Sequence, residues 1–281
     1  MYKEYFQMSM NFPDETIIGN PAQSTLIIYT GSGYFSYSVF DKSRKGSFFY
    51  GELPNESRID AFSVFKKAYF NNNFFSLPFK KVLFLYRTPV FTFFPNAIYE
   101  EKYKEDLFKF HFPENNGIAL NHNVLNTGVN VLYQMPDDIC RFILKSFAEP
   151  EFFHHSEPLI TYFSEKAKTA NNNRMIVNVE EYGMDILCFS RGTFLLGNYF
   201  QCDGLSEALY YILFIWKQLQ FNQINDSLLF TGNATFKEEL ISRLAFYIEQ
   251  INHLYYPYAN HFEGINPGLI PFELAALSVC G

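Results

Sequence analysis

Apolar and polar positions along the chain fall into two series of the same kind. In the first, Thr25–Phe40 runs as an apolar strand, a glycine-rich turn at Gly31-Ser32-Gly33, and a second strand whose apolar residues alternate from Phe35. A polar tip at Asp41–Gly46 leads to a third strand, Ser47–Leu53. Glu56–Phe70 then carries Ile59, Phe62, Phe65, Ala68 and Tyr69 at helical spacing. After the Asn71–Asn73 breaker, Lys81–Tyr86 is a short continuous apolar run of the kind a buried strand shows. A helix is predicted over Ile98–Phe110.

The second series begins after Arg174. Met175–Val179 predicts a strand, Glu180–Gly183 a turn, Asp185–Phe189 a strand, Ser190–Gly192 a tighter tip and Thr193–Phe200 a third strand. Leu205–Leu219 predicts a helix, Ser227–Thr231 a buried strand, Gly232-Asn233 a turn, and Thr235–Asn252 a long helix. Both series read β-β-β-α-β-α. Gly33 falls over Gly183 at an offset of 150, and Gly46 over Gly192 and Gly51 over Gly197 at 146. Element order, element lengths and three glycines agree, so the pattern implies one folding unit written twice. Between the series, Val129–Gln134 predicts a strand and Pro136-Asp137-Asp138 opens a helix over Ile139–Phe147, where Pro and Asp suit the free N–H groups of a first turn. Glu151–His155 predicts a strand and Pro158–Lys168 a helix ended by Asn171–Asn173. The expected domains are therefore 1–170 and 171–281.

Composition adds that the chain is built to fold. Of its 281 residues 48% are apolar and 18% charged, which excludes a disordered chain. The 34 Phe and 20 Tyr are read as ordinary core filling rather than as one sticky face. The net charge of −7 disfavours phosphate backbones, so no nucleic-acid partner is expected. Cys140, Cys188, Cys202 and Cys280 are sparse, and no two lie close enough in sequence to make a C-x-x-C pair, which suits a reducing compartment. The first residues show no apolar signal-peptide run. The longest apolar run, Leu209–Trp216, is far short of the ~20 residues that cross a bilayer. A cytoplasmic protein without a transmembrane segment is expected.

Three antiparallel strands, a crossover helix, a further strand and a helix form the core of the ribonuclease H-like fold, and two such units in tandem make the actin-like ATPase fold. On this element order the chain closely resembles an uncharacterised Bacteroidetes family with that fold. It is more distantly similar to the actin-like cytoplasmic domains of pilus-assembly and type II secretion proteins. The resemblance covers nearly the whole chain, and it rests on element order rather than motifs, so it speaks to fold more than to activity.

What the resemblance implies for activity is tested residue by residue. An actin-like ATPase carries an Asp and a glycine-rich turn in each of two phosphate-binding hairpins. The glycines admit phosphate to backbone N–H groups, and the aspartates organise hydrated magnesium and water. The first hairpin here reads Ile28-Tyr29-Thr30-Gly31-Ser32-Gly33, with no Asp. The second reads Val177-Asn178-Val179-Glu180-Glu181-Tyr182-Gly183, with Asn178 where Asp is expected and two Glu where small residues belong. One like-charge pair at about 4 Å costs on the order of 4 kcal/mol at an effective dielectric of about 20. The adenosine loop retains only Gly232 of its glycine pair. The candidate cleft lining is thus Thr30, Gly31, Ser32, Gly33, Asn178, Glu180 to Gly183, Gly232 and Asn233. No cofactor is expected, with at most weak ATP–magnesium binding.

A ribonuclease H-type nuclease needs converging carboxylates beginning with Asp on the first strand, and Leu26–Thr30 has none. Glu180, Glu181 and Asp185 are read as a solvated hairpin, since alternate strand residues face opposite sides. His154-His155 invites a metal, but adjacent strand residues point apart, so core or surface histidines are the better reading. No nucleophile elbow, P-loop or zinc-helix motif is present. The expectation is a non-catalytic actin-like protein that acts by binding an unidentified protein partner. The alternative is a divergent ATP-binding enzyme, an ATPase or sugar-kinase-like phosphotransferase, using the cleft between the lobes.

Overall fold

The computed structural model describes residues 19–31, 34–44, 46–53, 61–114, 117–166, 172–254 and 270–280. The first lobe is a five-stranded sheet. It contains β1 (Thr25–Gly31), β2 (Tyr34–Phe40), β3 (Phe49–Leu53), β4 (Lys81–Arg87) and β8 (Glu151–His154), in the order β3-β2-β1-β4-β8. β1, β2 and β3 pair antiparallel, whereas β4 runs parallel to β1 and β8 parallel to β4. The second lobe is built from β9 (Asn173–Glu180), β10 (Gly183–Ser190), β11 (Thr193–Gln201), β12 (Ser227–Gly232) and β13 (Gln250–His253). Its order is β11-β10-β9-β12-β13, with the same strand senses.

Helices join equivalent strands in the two lobes. α1 (Ala61–Asn71) lies between β3 and β4, and α5 (Leu205–Gln218) between β11 and β12. α1 buries Ala61, Phe62, Phe65 and Ala68, and α5 buries Ala208, Ile212, Ile215 and Trp216, the spacing that makes one apolar stripe. Two further helices, α4 (Glu157–Lys166) and α7 (Phe272–Cys280), pack against each other. Alternation along β9 and β10 then feeds two cores. Ile176, Leu187 and Phe189 join the core that contains Leu274, Ala275, Ala276 and Leu277 of α7 and the first sheet. Met175, Val177, Met184 and Ile186 join the core under α5. Much of the aromatic excess sits in the first of these cores, where Phe35, Phe65 and Phe75 meet edge-on or tilted at centroid distances of 5.3–6.3 Å. A fully buried Phe contributes about 2–3 kcal/mol by leaving water.

Several sequence expectations are corrected. Between β4 and β8 lies a three-stranded antiparallel sheet in the order β5-β7-β6, made of β5 (Phe91–Pro95), β6 (Ile118–Val124) and β7 (Val129–Met135). Only β7 was legible; the Asn-His-Asn run in β6 hides its alternation. The helix expected over Ile98–Phe110 is α2 (Lys104–His111), preceded by 3-10 turns at Asn96–Ile98 and Glu101–Tyr103. α3 (Asp137–Ser146) starts where the Pro-Asp-Asp signal places it. The long helix expected over Thr235–Asn252 stops as α6 (Lys237–Leu244). The chain then turns, the Glu249 N–H donates to the Gln223 carbonyl at 2.8 Å, and 250–253 pairs with β12. A four-residue strand carries too few positions to reveal its period.

Candidate functional site

The first hairpin and β4 set the site from one side. Gly31 ends β1 directly beside Arg87, the last residue of β4. A Cβ on Gly31 would lie 2.4 Å from the Arg87 Cβ and 2.6 Å from its carbonyl oxygen. This glycine is therefore demanded by the neighbouring strand. Arg87 is 5% exposed and reaches from the first lobe into the second. Its Nη2 donates to Asp185 Oδ2 at 2.9 Å, and its Nη1 lies 3.3 Å from Glu180 Oε1 and 3.6 Å from Glu273 Oε1. Glu273, on the first turn of α7, also accepts from the Tyr29 hydroxyl at 2.7 Å and from Asn178 Nδ2 at 3.4 Å. On the far side of Asp185, His155 Nε2 donates to Oδ2 at 3.0 Å. One guanidinium thus ties together β1, β4, β9, β10 and α7.

The ionisation states follow from burial and partners. Burial alone pushes the Asp185 carboxyl up, but His155 and the Arg87 guanidinium outweigh it and hold Asp185 below its usual range. Burial pushes Glu180 up, and the charges of Asp185 and Glu273 add to this against Arg87. Tyr29 is raised well above its ordinary value, by burial first and then by Glu273, so it stays a donor. Asp185 is 1% exposed and Glu180 is ion-paired, so the solvated-hairpin reading fails for both; it holds for exposed Glu181, which accepts from the Thr235 N–H at 3.0 Å and hydroxyl at 2.9 Å. The two histidines do not point apart. β8 ends at His154, so His155 leaves the alternation, and the buried rings sit 4.2 Å apart between centroids.

Above Arg87 the lobes enclose a cleft of about 180 Å³. Asn178, Glu180, Gly232 and Asn233 line it, together with Tyr29, Glu52, Thr231, Glu273, Ile270 and Pro271. Thr30 does not; it is buried within the sheet, opposite Phe35 and Tyr86. Gly31 lies against Arg87, while Ser32 and Gly33 fall outside the described residues. Of Glu181 to Gly183, none lines the cleft, and Gly183 opens β10. Gly232 ends β12 at φ 92°, and a Cβ there would lie 2.0 Å from the Val179 carbonyl oxygen. Sequence reasoning missed Arg87, Tyr29, Glu52 and Glu273. An Arg closing an apolar strand was the available signal for Arg87, but the strand was ended one residue early, at Tyr86. Among the described residues no three His, Cys, Asp or Glu side chains are placed to share a metal ion.

Next to the site, His154 accepts at Nδ1 from the Ser156 hydroxyl (2.7 Å) and donates from Nε2 to the Thr88 carbonyl (3.2 Å). Burial, then the neighbouring His155, holds His154 well below its ordinary value. Below the unfolded value of about 6.5 the unfolded chain takes up a proton that the folded chain refuses, so stability drops as pH falls. Wild type should lose stability between pH 6.5 and 5.5 more steeply than His154→Gln, by up to about 1.4 kcal/mol per pH unit in urea titrations. Equal slopes would contradict the neutral buried histidine.

Comparison with known proteins agrees with this architecture. A structure from Bacteroides thetaiotaomicron VPI-5482, described as a protein with actin-like ATPase fold and unknown function, is 29% identical over 96% of this chain and 100% of that one, with a TM-score of 0.81. The PilM–PilN type IV pilus biogenesis complex is similar at 9% identity over 91% of this chain and 97% of that one, with a TM-score of 0.59. A weaker likeness, TM-score 0.39 at 8% identity over 75% of this chain and 82% of that one, is to the cytoplasmic domain of EpsL, an inner membrane component of the type II secretion system of Vibrio cholerae. No curated protein matches the sequence. No helix among the described residues is long and apolar enough to cross a membrane. The model of the family described as Protein of unknown function (DUF3822) matches residues 13–251, so this chain, with its actin-like ATPase fold, belongs to that family.

Proposed function

We propose that the protein is a non-catalytic actin-like protein that acts by binding a protein partner. The observation that carries this reading is Arg87, whose guanidinium fills the ground between the two hairpins and is held there by Asp185, Glu180 and Glu273. ATP with magnesium fits this site poorly. Its phosphates would meet the Glu180 and Glu273 carboxylates, and the close approach that Gly31 would offer is taken by the Arg87 backbone. The aspartates that would organise the metal are absent from both hairpins. That PilM is found in a complex with PilN supports a partner-binding role for the fold. Large apolar side chains stand exposed, among them Phe70, Phe110 and Phe246.

The reading includes a tandem of ribonuclease H-like units divided near residue 170. The repeated strand order supports it, as do the tip glycines Gly46 and Gly192, at φ 70° and 84°. We also take the protein to be cytoplasmic and of Bacteroidetes origin, in line with its buried free thiols at Cys140, Cys188 and Cys202 and its Bacteroides likeness. A nucleic-acid partner is disfavoured by the net charge of −7.

The test is a thermal-shift and turnover measurement with magnesium–ATP. A ligand at a hundredfold excess over its Kd adds about 2.7 kcal/mol, which moves the melting temperature visibly. We expect no shift at millimolar nucleotide and no phosphate release. Hydrolysis that Glu180→Ala abolishes would overturn the reading.

A further inference from the structure

We infer that the cleft between the lobes is a site for an alkylammonium group, either the side chain of a partner's lysine or a free aliphatic amine. This rests on the partner-binding reading and names the chemistry that its cleft would recognise. Glu52, Glu180 and Glu273 line the cavity, and among the described residues no Lys or Arg does. Among the described residues, Arg87 is buried against Asp185, Glu180 and Glu273, and Lys237 Nζ is turned to the Gly232 carbonyl at 2.7 Å. The Arg87 charge is thus shared among three acids, and the wall keeps a negative surplus. Burial raises the Glu180 carboxyl first, and the charges of Asp185 and Glu273 add to it.

A second observation is independent of the cavity wall. Asp185 stands directly across from Asn178, so the two side chains leave the same face of the sheet, the face from which Asn178 lines the cleft, although Asp185 is not itself part of the lining. The Oδ1 atom of Asp185 is buried and has no hydrogen-bond partner among the described residues. An unmet buried carboxylate oxygen is costly and calls for a donor. The remaining lining suits an amine on an aliphatic stem. Asn178, Asn233 and Thr231 bring further oxygens, and Ile270 and Pro271 give an apolar wall for methylenes. A cavity of about 180 Å³ matches a lysine side chain better than a nucleotide. A metal ion is the wrong cation, because no three acids among the described residues come close enough to share one.

The experiment titrates the whole chain with 1,5-diaminopentane, with the peptide Gly-Gly-Lys-Gly-Gly, and with the same peptide acetylated on its lysine. Thermal shift and calorimetry are the readouts. Stabilisation by millimolar amine is expected, at least tenfold weaker in Glu52→Gln and Glu180→Gln. Should Glu180→Gln misfold, Glu52→Gln, at the exposed mouth, carries the comparison. Binding of the lysine peptide but not its acetylated twin assigns the site to a partner's lysine, and binding of the diamine alone assigns it to a free amine. No shift with any amine, or equal shifts in wild type and both variants, overturns the inference and leaves partner binding standing. Stabilisation by magnesium–ATP with turnover in the same plate overturns the reading beneath it.

Discussion

Arg87→Ala is expected to lower the unfolding free energy by about 3–5 kcal/mol, a large part of what a domain of this size possesses. The substitution removes a few methylenes, but its main effect is electrostatic. It leaves Asp185, 1% exposed, with the His155 ring nitrogen as its remaining partner among the described residues, and it strips Glu180 and Glu273 of their shared cation. A buried charge whose partner is removed costs more than the pair contributes. The double variant Arg87→Ala/Asp185→Ala should therefore recover part of the loss, and urea denaturation followed by circular dichroism gives both numbers. A loss under about 1 kcal/mol for the single variant would mean that water reaches the cluster and the lobes are not bridged as described.

Gly232→Ala is expected to cost about 3 kcal/mol. Two effects add. At φ 92° an alanine is strained by about 1–3 kcal/mol, and its Cβ would lie 2.0 Å from the Val179 carbonyl oxygen and 2.7 Å from the Val179 nitrogen, both backbone atoms of a central strand that cannot swing aside. The fold gives this residue a structural reason to be glycine before any ligand is considered. The loss should consequently be the same with and without magnesium–ATP. A stable Gly232→Ala that had lost a measurable nucleotide affinity would show that the glycine serves a ligand instead.

The two effects show where local pattern ends as a guide. Hairpin β1–β2, its counterpart β9–β10, the crossover helices and the parallel strands that follow were all legible, because period-2 and period-3.6 burial are properties of neighbouring residues. The register was legible to within one residue. Gly31 pairs with Tyr34 and Glu180 with Gly183, so Tyr34 rather than Gly33 stands where Gly183 stands. A glycine matched to a glycine in sequence does not fix which residues face each other across a hairpin. Strands β5 and β13 were invisible for a different reason: they are five and four residues long, and no residue of β13 is buried.

The cleft divides in the same way. Asn178, Glu180, Gly232 and Asn233 lie at strand ends, and the strand pattern puts strand ends together at the mouth between lobes. The amino-acid order by itself determined the repeated element series and the absence of an Asp from the first strand of each hairpin. Only the tertiary structure decided that Arg87, Asp185 and Glu273 would meet, from positions 98 and 88 residues apart in turn. Charge attraction acts through space over a few ångströms, and nothing in a chain's local periodicity records which distant side chains folding will bring within that range.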